Sequence, residues 1–184
     1  MESPMKYLVA YYSRTGNNRF IAETLAQDLS ADIVKLVPRV NTFFMLIFSS
    51  LLHLSFGNKK IEKSVTDYDA VILCGPIWMG QLIAPLWDFI KKYKGQYKKL
   101  YFLTCCGSGE EEKDGKFGYM GVFKKVEQFA GPSFVSAQAL PVSFITAENT
   151  NAEPGAVMNL RVQQDTFTGK FKEYYREFIQ KLIK

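Results

Sequence analysis

The chain has 184 residues, of which 47% are hydrophobic and 22% charged, the proportions of an ordinary globular protein. That composition excludes disorder, collagen and a pure coiled coil as descriptions of the whole chain, and this length builds a core without staples. The formal charge of +5 and sequence pI near 9.0 are mildly basic; they favour anions but define neither a fold nor a nucleic-acid partner.

The cysteines, Cys74, Cys105 and Cys106, are odd in number with two adjacent, a poor disulfide framework. With no C-x-x-C pair and His53 as the one histidine, a structural zinc site is not expected. The segment Met1–Lys6 runs straight into a strand-like stretch without a secretory pattern. The expectation is a cytoplasmic chain with reduced thiols.

Strand and helix signals alternate along the chain. Tyr7–Tyr12 is a continuous apolar run, as expected of a strand covered on both faces. The polar loop Ser13–Asn18 follows, and then Ile21, Ala22, Leu25, Ala26 and Leu29 form a helical stripe. Ile33–Val37 reads as a second strand closed by Pro38, and Ala70–Gly75 as a third. Pro85 stands where helices start, and Leu86, Phe89, Ile90 and Tyr93 continue at helical spacing. Leu100–Thr104 is a fourth strand, Val122, Val126 and Phe129 mark a further helix, and Phe134–Phe144 holds a fifth strand interrupted by Pro141. Phe167, Phe171, Tyr174, Tyr175, Phe178, Ile179 and Leu182 form a closing amphipathic helix. Five βα units at this spacing predict one α/β domain over residues 1–184, a doubly wound parallel sheet with helices on both faces. Thr146–Gly155 reads as a long loop within it.

Val40–Asn58 carries no charged residue, and Phe43–Phe56 is nearly all apolar. Its length raises a membrane span, but a span would put the second and third strands on opposite sides of a bilayer. The segment is therefore predicted to be an apolar helical insertion over residues 40–58, with Ser49, Ser50 and His53 as a narrow polar stripe. Such a helix is expected to be buried on several sides, in the core or in a homodimer interface. An interfacial membrane contact and a wall for an apolar substrate are the alternatives.

In an open parallel sheet, ligands sit beyond the carboxyl ends of the strands at the switch point. After the first strand, Ser13, Arg14, Thr15, Gly16, Asn17 and Asn18 run into a helix. Unpaired amides and the positive dipole end there bind anions, so a phosphate is expected; a capped turn would use the same residue types. Neither a Walker A nor a G-x-G-x-x-G pattern is present, and no arginine closely follows Cys105 or Cys106 as in a phosphatase loop. After the third strand, Pro76, Ile77, Trp78, Met79 and Gly80 place a tryptophan where it stacks on a planar ring or packs the rim. After the fourth come Gly107, Ser108 and Gly109, then Glu110, Glu111, Glu112 and Asp114, read as a solvated acidic loop. Cys105 and Cys106 are expected as buried thiols and His53 as an ordinary helix residue. The lysines are scattered, with no basic face for nucleic acid.

Together, Tyr12–Asn18, Gly75–Gly80 with Pro85, and Thr104–Gly109 resemble the flavodoxin-like family. The resemblance implies a five-stranded sheet in the order 2-1-3-4-5 with non-covalent FMN at its switch point. By motif position it implies that Ser13, Arg14, Thr15, Gly16, Asn17 and Asn18 hold the phosphate. It places Pro76, Ile77, Trp78, Met79 and Gly80, with Cys106, Gly107, Ser108 and Gly109, around the isoalloxazine ring. Trp78 is the implied stacking residue, Tyr119 a second cover, and Gly80 the peptide near the flavin N5. The family loop usually ends in Thr where this chain has Asn18, and Arg14 is a charge the pattern does not need. The basic pI departs from acidic electron shuttles, and the 40–58 segment resembles the longer flavodoxin-like proteins and the quinone-reducing branches. The implied function is electron transfer through FMN to a redox partner protein or a small quinone-like acceptor. The rivals are an NAD(P)H- or partner-dependent quinone or flavin reductase, and a flavin-free binding module on the same fold.

Overall fold

The computed structural model describes residues 4–52, 54–107, 118–145 and 159–183. In chain order the strands are β1 (Tyr7–Tyr11), β2 (Asp32–Lys35), β3 (Ala70–Cys74), the short pair β4 (Ile77–Trp78) and β5 (Gln81–Leu82), β6 (Leu100–Cys106) and β7 (Phe134–Pro141). The helices are α1 (Asn17–Asp28), α2 (Phe43–Leu51), α3 (Ala84–Lys92), α4 (Tyr119–Ala130) and α5 (Gly169–Leu182). The main sheet is parallel throughout, in the order β2-β1-β3-β6-β7. With the β4–β5 hairpin set aside, this is the 2-1-3-4-5 order expected of a flavodoxin-like α/β fold.

The period of two along each strand sorts side chains to opposite faces. Leu8, Val71, Leu73 and Phe102 face α3 and α4, meeting Leu86, Phe89, Val122 and Val126. Val9, Ile72, Tyr101 and Leu103 face α1 and α5, meeting Ile21, Leu25, Phe171 and Phe178. β1 and β3 are buried at every position because both faces are covered. β2 is shorter than expected and mostly exposed, since it is the sheet edge and has no strand beyond it. Pro141 ends β7 rather than interrupting it, and Val142–Ile145 turns away as a short 3-10 helix.

At the end of β3 the helix layer comes very close. A Cβ added to Gly75 would lie 2.7 Å from Leu86 Cδ1, and Leu86 is fully buried. Gly75→Ala is expected to destabilise the fold by about 1–3 kcal/mol through overpacking. The check is a urea midpoint that falls with an unchanged slope.

Of the two burials expected for the 40–58 segment, the one within the chain's own core is confined to a few residues. In α2 only Leu46, Ser49 and Ser50 are buried, while Phe44 is 83% and Phe48 58% exposed. The polar side faces inward because it makes bonds there. Ser50 Oγ accepts the Ala84 N–H at 2.8 Å and donates to the Leu46 carbonyl. It thereby satisfies an amide at the start of α3 that the helix itself leaves unpaired. An antiparallel Pro38–Asn58 bridge closes the base of the segment. There the Asn58 N–H donates to Asp88 Oδ2 and its Nδ2 to the Pro85 carbonyl, each at 2.8 Å. His53 lies outside the described residues.

Candidate functional site

β2 and β3 flank β1 on opposite sides, so the winding direction reverses between β1 and β3. That reversal opens a crevice at the carboxyl edge. The Tyr12 N–H donates to the Cys74 carbonyl at 3.0 Å, which holds the loops after β1 and β3 side by side.

The first loop enters α1 through Gly16, whose φ of 101° is left-handed backbone that favours glycine. A Cβ built there meets nothing within 4 Å, so the space at Gly16 is open. Ser13 Oγ accepts the Gly16 N–H at 3.1 Å. No side chain caps α1 and its first turn holds no acidic residue, so its amides and dipole are available to an external anion. Arg14 and Thr15 are exposed. A cleft of about 270 Å³ borders the loop, lined among others by Thr15, Gly16, Arg19, Arg161 and Gln163.

The side-chain donation to phosphate expected of Asn17 and Asn18 is used within the protein instead. Asn17 Nδ2 donates to the Leu160 carbonyl and its Oδ1 accepts the Val162 N–H, both at 3.1 Å. Asn18 Oδ1 accepts the Cys105 N–H at 2.8 Å, and its Nδ2 donates to the Cys105 carbonyl at 2.9 Å. The cause is the end of β3. Gly75 N–H still pairs with the Leu103 carbonyl, then the chain turns off at Pro76. The Asn18 carboxamide supplies the next donor and acceptor that a continuing strand would have given β6. Both asparagine side chains therefore anchor the loop, and only their backbone amides at the first turn of α1 remain available to an external anion.

The second loop is a tight hairpin that the sequence reading took as open loop. Met79 at φ 50° and Gly80 at φ 66° are both left-handed, as a two-residue type I′ turn requires. Ile77 and Leu82 pair across it into the core. Pro76 is half-buried and Gly80 buried, which leaves Trp78 half-buried at the rim and Met79 54% exposed. Trp78 stands edge-on to Tyr12 at 6.4 Å and to Phe43 at 5.4 Å between centroids. The Arg14 guanidinium lies 4.7 Å from the Phe43 ring centre, and Tyr12 OH donates to Asn41 Oδ1 at 3.1 Å. Tyr12 and Phe43 pack on the Trp78 rim, and sequence reasoning did not single them out as candidates. Strand alternation from Leu8 and Ala10 puts Tyr12 on the face of α3, whereas nothing local distinguishes Phe43 from the rest of its apolar run.

At the end of β6, Cys106 is buried and Gly107 exposed. Ser108, Gly109 and the acidic run through Asp114 lie outside the described residues. Tyr119 packs on Phe123 at 5.2 Å, against the same core cluster as Trp78. All three cysteines are free and buried, and burial pushes the Cys74 and Cys105 thiols well above the usual range. A thiol reagent at mildly alkaline pH is expected to label none of them in the folded protein and all of them in urea, because the thiolate is the reactive form. Rapid labelling without denaturant would contradict this burial. Among the described residues there is no cluster of metal-ligating side chains, and no helix is long and apolar enough to cross a membrane.

No family model matches the sequence, and no curated protein matches it. Solved structures do. A flavoprotein from Lactobacillus acidophilus in complex with FMN is similar at a TM-score of 0.59 and 13% identity, over 73% of this chain and 93% of that one. A candidate flavoprotein from Bacteroides eggerthii is similar at a TM-score of 0.60 and 18% identity, over 84% of this chain and 94% of that one. Another from Bacteroides uniformis gives 0.58 and 18%, over 85% and 97%. With the strand order, these likenesses establish a flavodoxin-like fold.

Proposed function

We propose that this protein is an FMN-binding, flavodoxin-like redox protein that transfers electrons between partners. One observation carries the reading: at a single switch point, the uncapped N-terminus of α1 behind Gly16 adjoins an aromatic rim centred on Trp78. An anion cradle beside a planar-ring site is what a flavin mononucleotide requires. The residues fit the group. The backbone at Gly16 is open, no carboxylate occupies the first turn of α1, and Trp78 offers a half-buried aromatic surface. The FMN bound by the Lactobacillus acidophilus neighbour supports the same choice.

Ser13, Thr15, Gly16 and the first-turn amides would hold the phosphate, with Arg14 adding positive charge. Trp78, Met79 and Gly107 would border the ring, with the Gly80 peptide close by. Bound flavin supplies one- and two-electron chemistry. The chain's own residues bind, orient and shield it: Ile77, Leu82 and Cys106 close the floor against water, and the Asn18 bridge fixes the spacing of the loops after β1 and β6. The free thiols fit a reducing compartment such as the cytoplasm. A quinone reductase is the second reading, favoured by the exposed apolar helix α2 that reaches Trp78 through Phe43.

The test is a visible spectrum of the purified protein before and after FMN is added and the sample desalted. Retained flavin bands are expected. Slow reduction by NADPH alone then supports the electron carrier, and rapid reduction with quinone turnover supports the reductase. A colourless protein that neither shifts nor quenches FMN overturns both.

A further inference from the structure

Electron transfer through a bound flavin does not need the outer side of α2. Phe44, Phe48, Leu51, Leu52, Leu54 and Phe56 are between 46% and 83% exposed along this stretch. A contiguous apolar surface of this kind marks an interaction site. No residue of Val40–Asn58 is charged, yet cations flank the segment at both ends. Arg14 lies over Phe43 at its start. At its base, the Pro38–Asn58 bridge sets Arg39 beside Gly57, where Arg39 Cδ is 4.0 Å from a Cβ built on that glycine. Lys59 and Lys60 follow, both exposed. Asp88, the carboxylate at this base, is engaged by the Asn58 N–H, and Glu62 lies beyond the lysines.

We propose that α2 and the loop after it form a docking surface that seats the protein on an anionic lipid bilayer. The apolar side chains enter the acyl boundary, and Arg39, Lys59 and Lys60 meet lipid phosphates. Interfacial helices place Phe and Leu about 5–10 Å into that boundary and use flanking cations to select anionic lipid. α2 has 9 residues, a length of about 14 Å, so it lies on the bilayer rather than crossing a hydrocarbon core of about 30 Å. A second copy of the chain fits the surface less well. A two-fold contact presses one surface against itself, which would gather like charges around the apolar patch. Docking by this face brings the aromatic rim at Trp78 near the lipid surface, because Phe43 belongs to both.

The experiment is flotation of the full chain with phosphatidylcholine vesicles, with and without phosphatidylglycerol; it needs no flavin. Flotation is expected with phosphatidylglycerol present, and raised salt should release the protein. Phe44→Ser combined with Phe48→Ser changes exposed positions only, and is expected to lower vesicle affinity at least about tenfold at an unchanged melting temperature. Lys59→Gln combined with Lys60→Gln is expected to lower it about fivefold per residue. Absence of flotation with the phosphatidylglycerol vesicles overturns the proposal, as does equal flotation on neutral vesicles. A concentration-dependent dimer that the phenylalanine variant abolishes, without vesicle binding, overturns it in favour of a second copy.

Discussion

Asn18→Ala is expected to destabilise the protein by roughly 2–6 kcal/mol, since it strands two buried backbone groups at about 1–3 kcal/mol each. The side chain is 2% exposed, so water cannot replace it. Its amide meets both the N–H and the carbonyl of Cys105 where β3 has already left β6. Asn18→Asp should be as harmful or worse: it keeps the acceptor, loses the donor and sets a buried charge against a carbonyl. Asn18→Thr should fall between wild type and alanine, because one short hydroxyl can serve only part of the pair. Urea unfolding reads all three. If Asn18 instead served a ligand through its side chain, alanine would leave the midpoint in place and reduce only flavin affinity.

How much of this could be read beforehand follows from what each residue depends on. The layering was legible because continuous apolar runs at Tyr7–Tyr11 and Ala70–Cys74 mark strands whose two faces are both covered, whereas the strand order was implied only by the resemblance of the three loops to the flavodoxin-like family. The position of the crevice was legible because ligands in such sheets sit at the switch point beyond the strand ends, although the glycine and hydroxyl residues after β1 suit a capped helix start as well as an anion. Asn18 was misjudged as a side-chain donor because its partner is 87 residues away, and no local pattern announces where a neighbouring strand stops pairing. The β4–β5 hairpin was missed because its turn is Met79–Gly80 rather than the Asn-Gly or Asp-Gly that signals such turns. α2 was misread for a related reason. Apolar content predicts burial only if a surface is there to receive it, and here the inner contact is made by Leu46 with Ser49 and Ser50. Sequence periodicity gives the stripe but not which side of it faces the sheet.

Riboflavin, which lacks the phosphate, is expected to bind the proposed site at least about a hundredfold more weakly than FMN. Two charge-assisted hydrogen bonds at about 1.5–3 kcal/mol each are enough for that difference. Two substitutions then separate the ends of the site. Thr15→Ala removes an exposed hydroxyl beside Gly16 and should weaken FMN about tenfold while leaving riboflavin unchanged. Trp78→Ala should weaken both ligands by a similar factor of about tenfold or more, since stacking on an aromatic side chain is worth roughly 1–3 kcal/mol per planar base. Trp78 also packs edge-on against Tyr12 and Phe43, so the alanine variant is measured well below its own melting temperature. Trp78→Phe, which keeps an aromatic face, should recover most of the loss for both ligands. Fluorescence quenching of each flavin supplies the affinities. Equal losses of FMN and riboflavin in Thr15→Ala would remove the phosphate from the loop after β1. An unchanged affinity in Trp78→Ala would remove the ring from the rim, and with both gone the site would have no claim on a flavin. The opposite pattern, a phosphate-specific loss at one residue and a ring-specific loss at the other, requires a ligand spanning the crevice from Gly16 to Trp78 with an anion at one end and an aromatic system at the other.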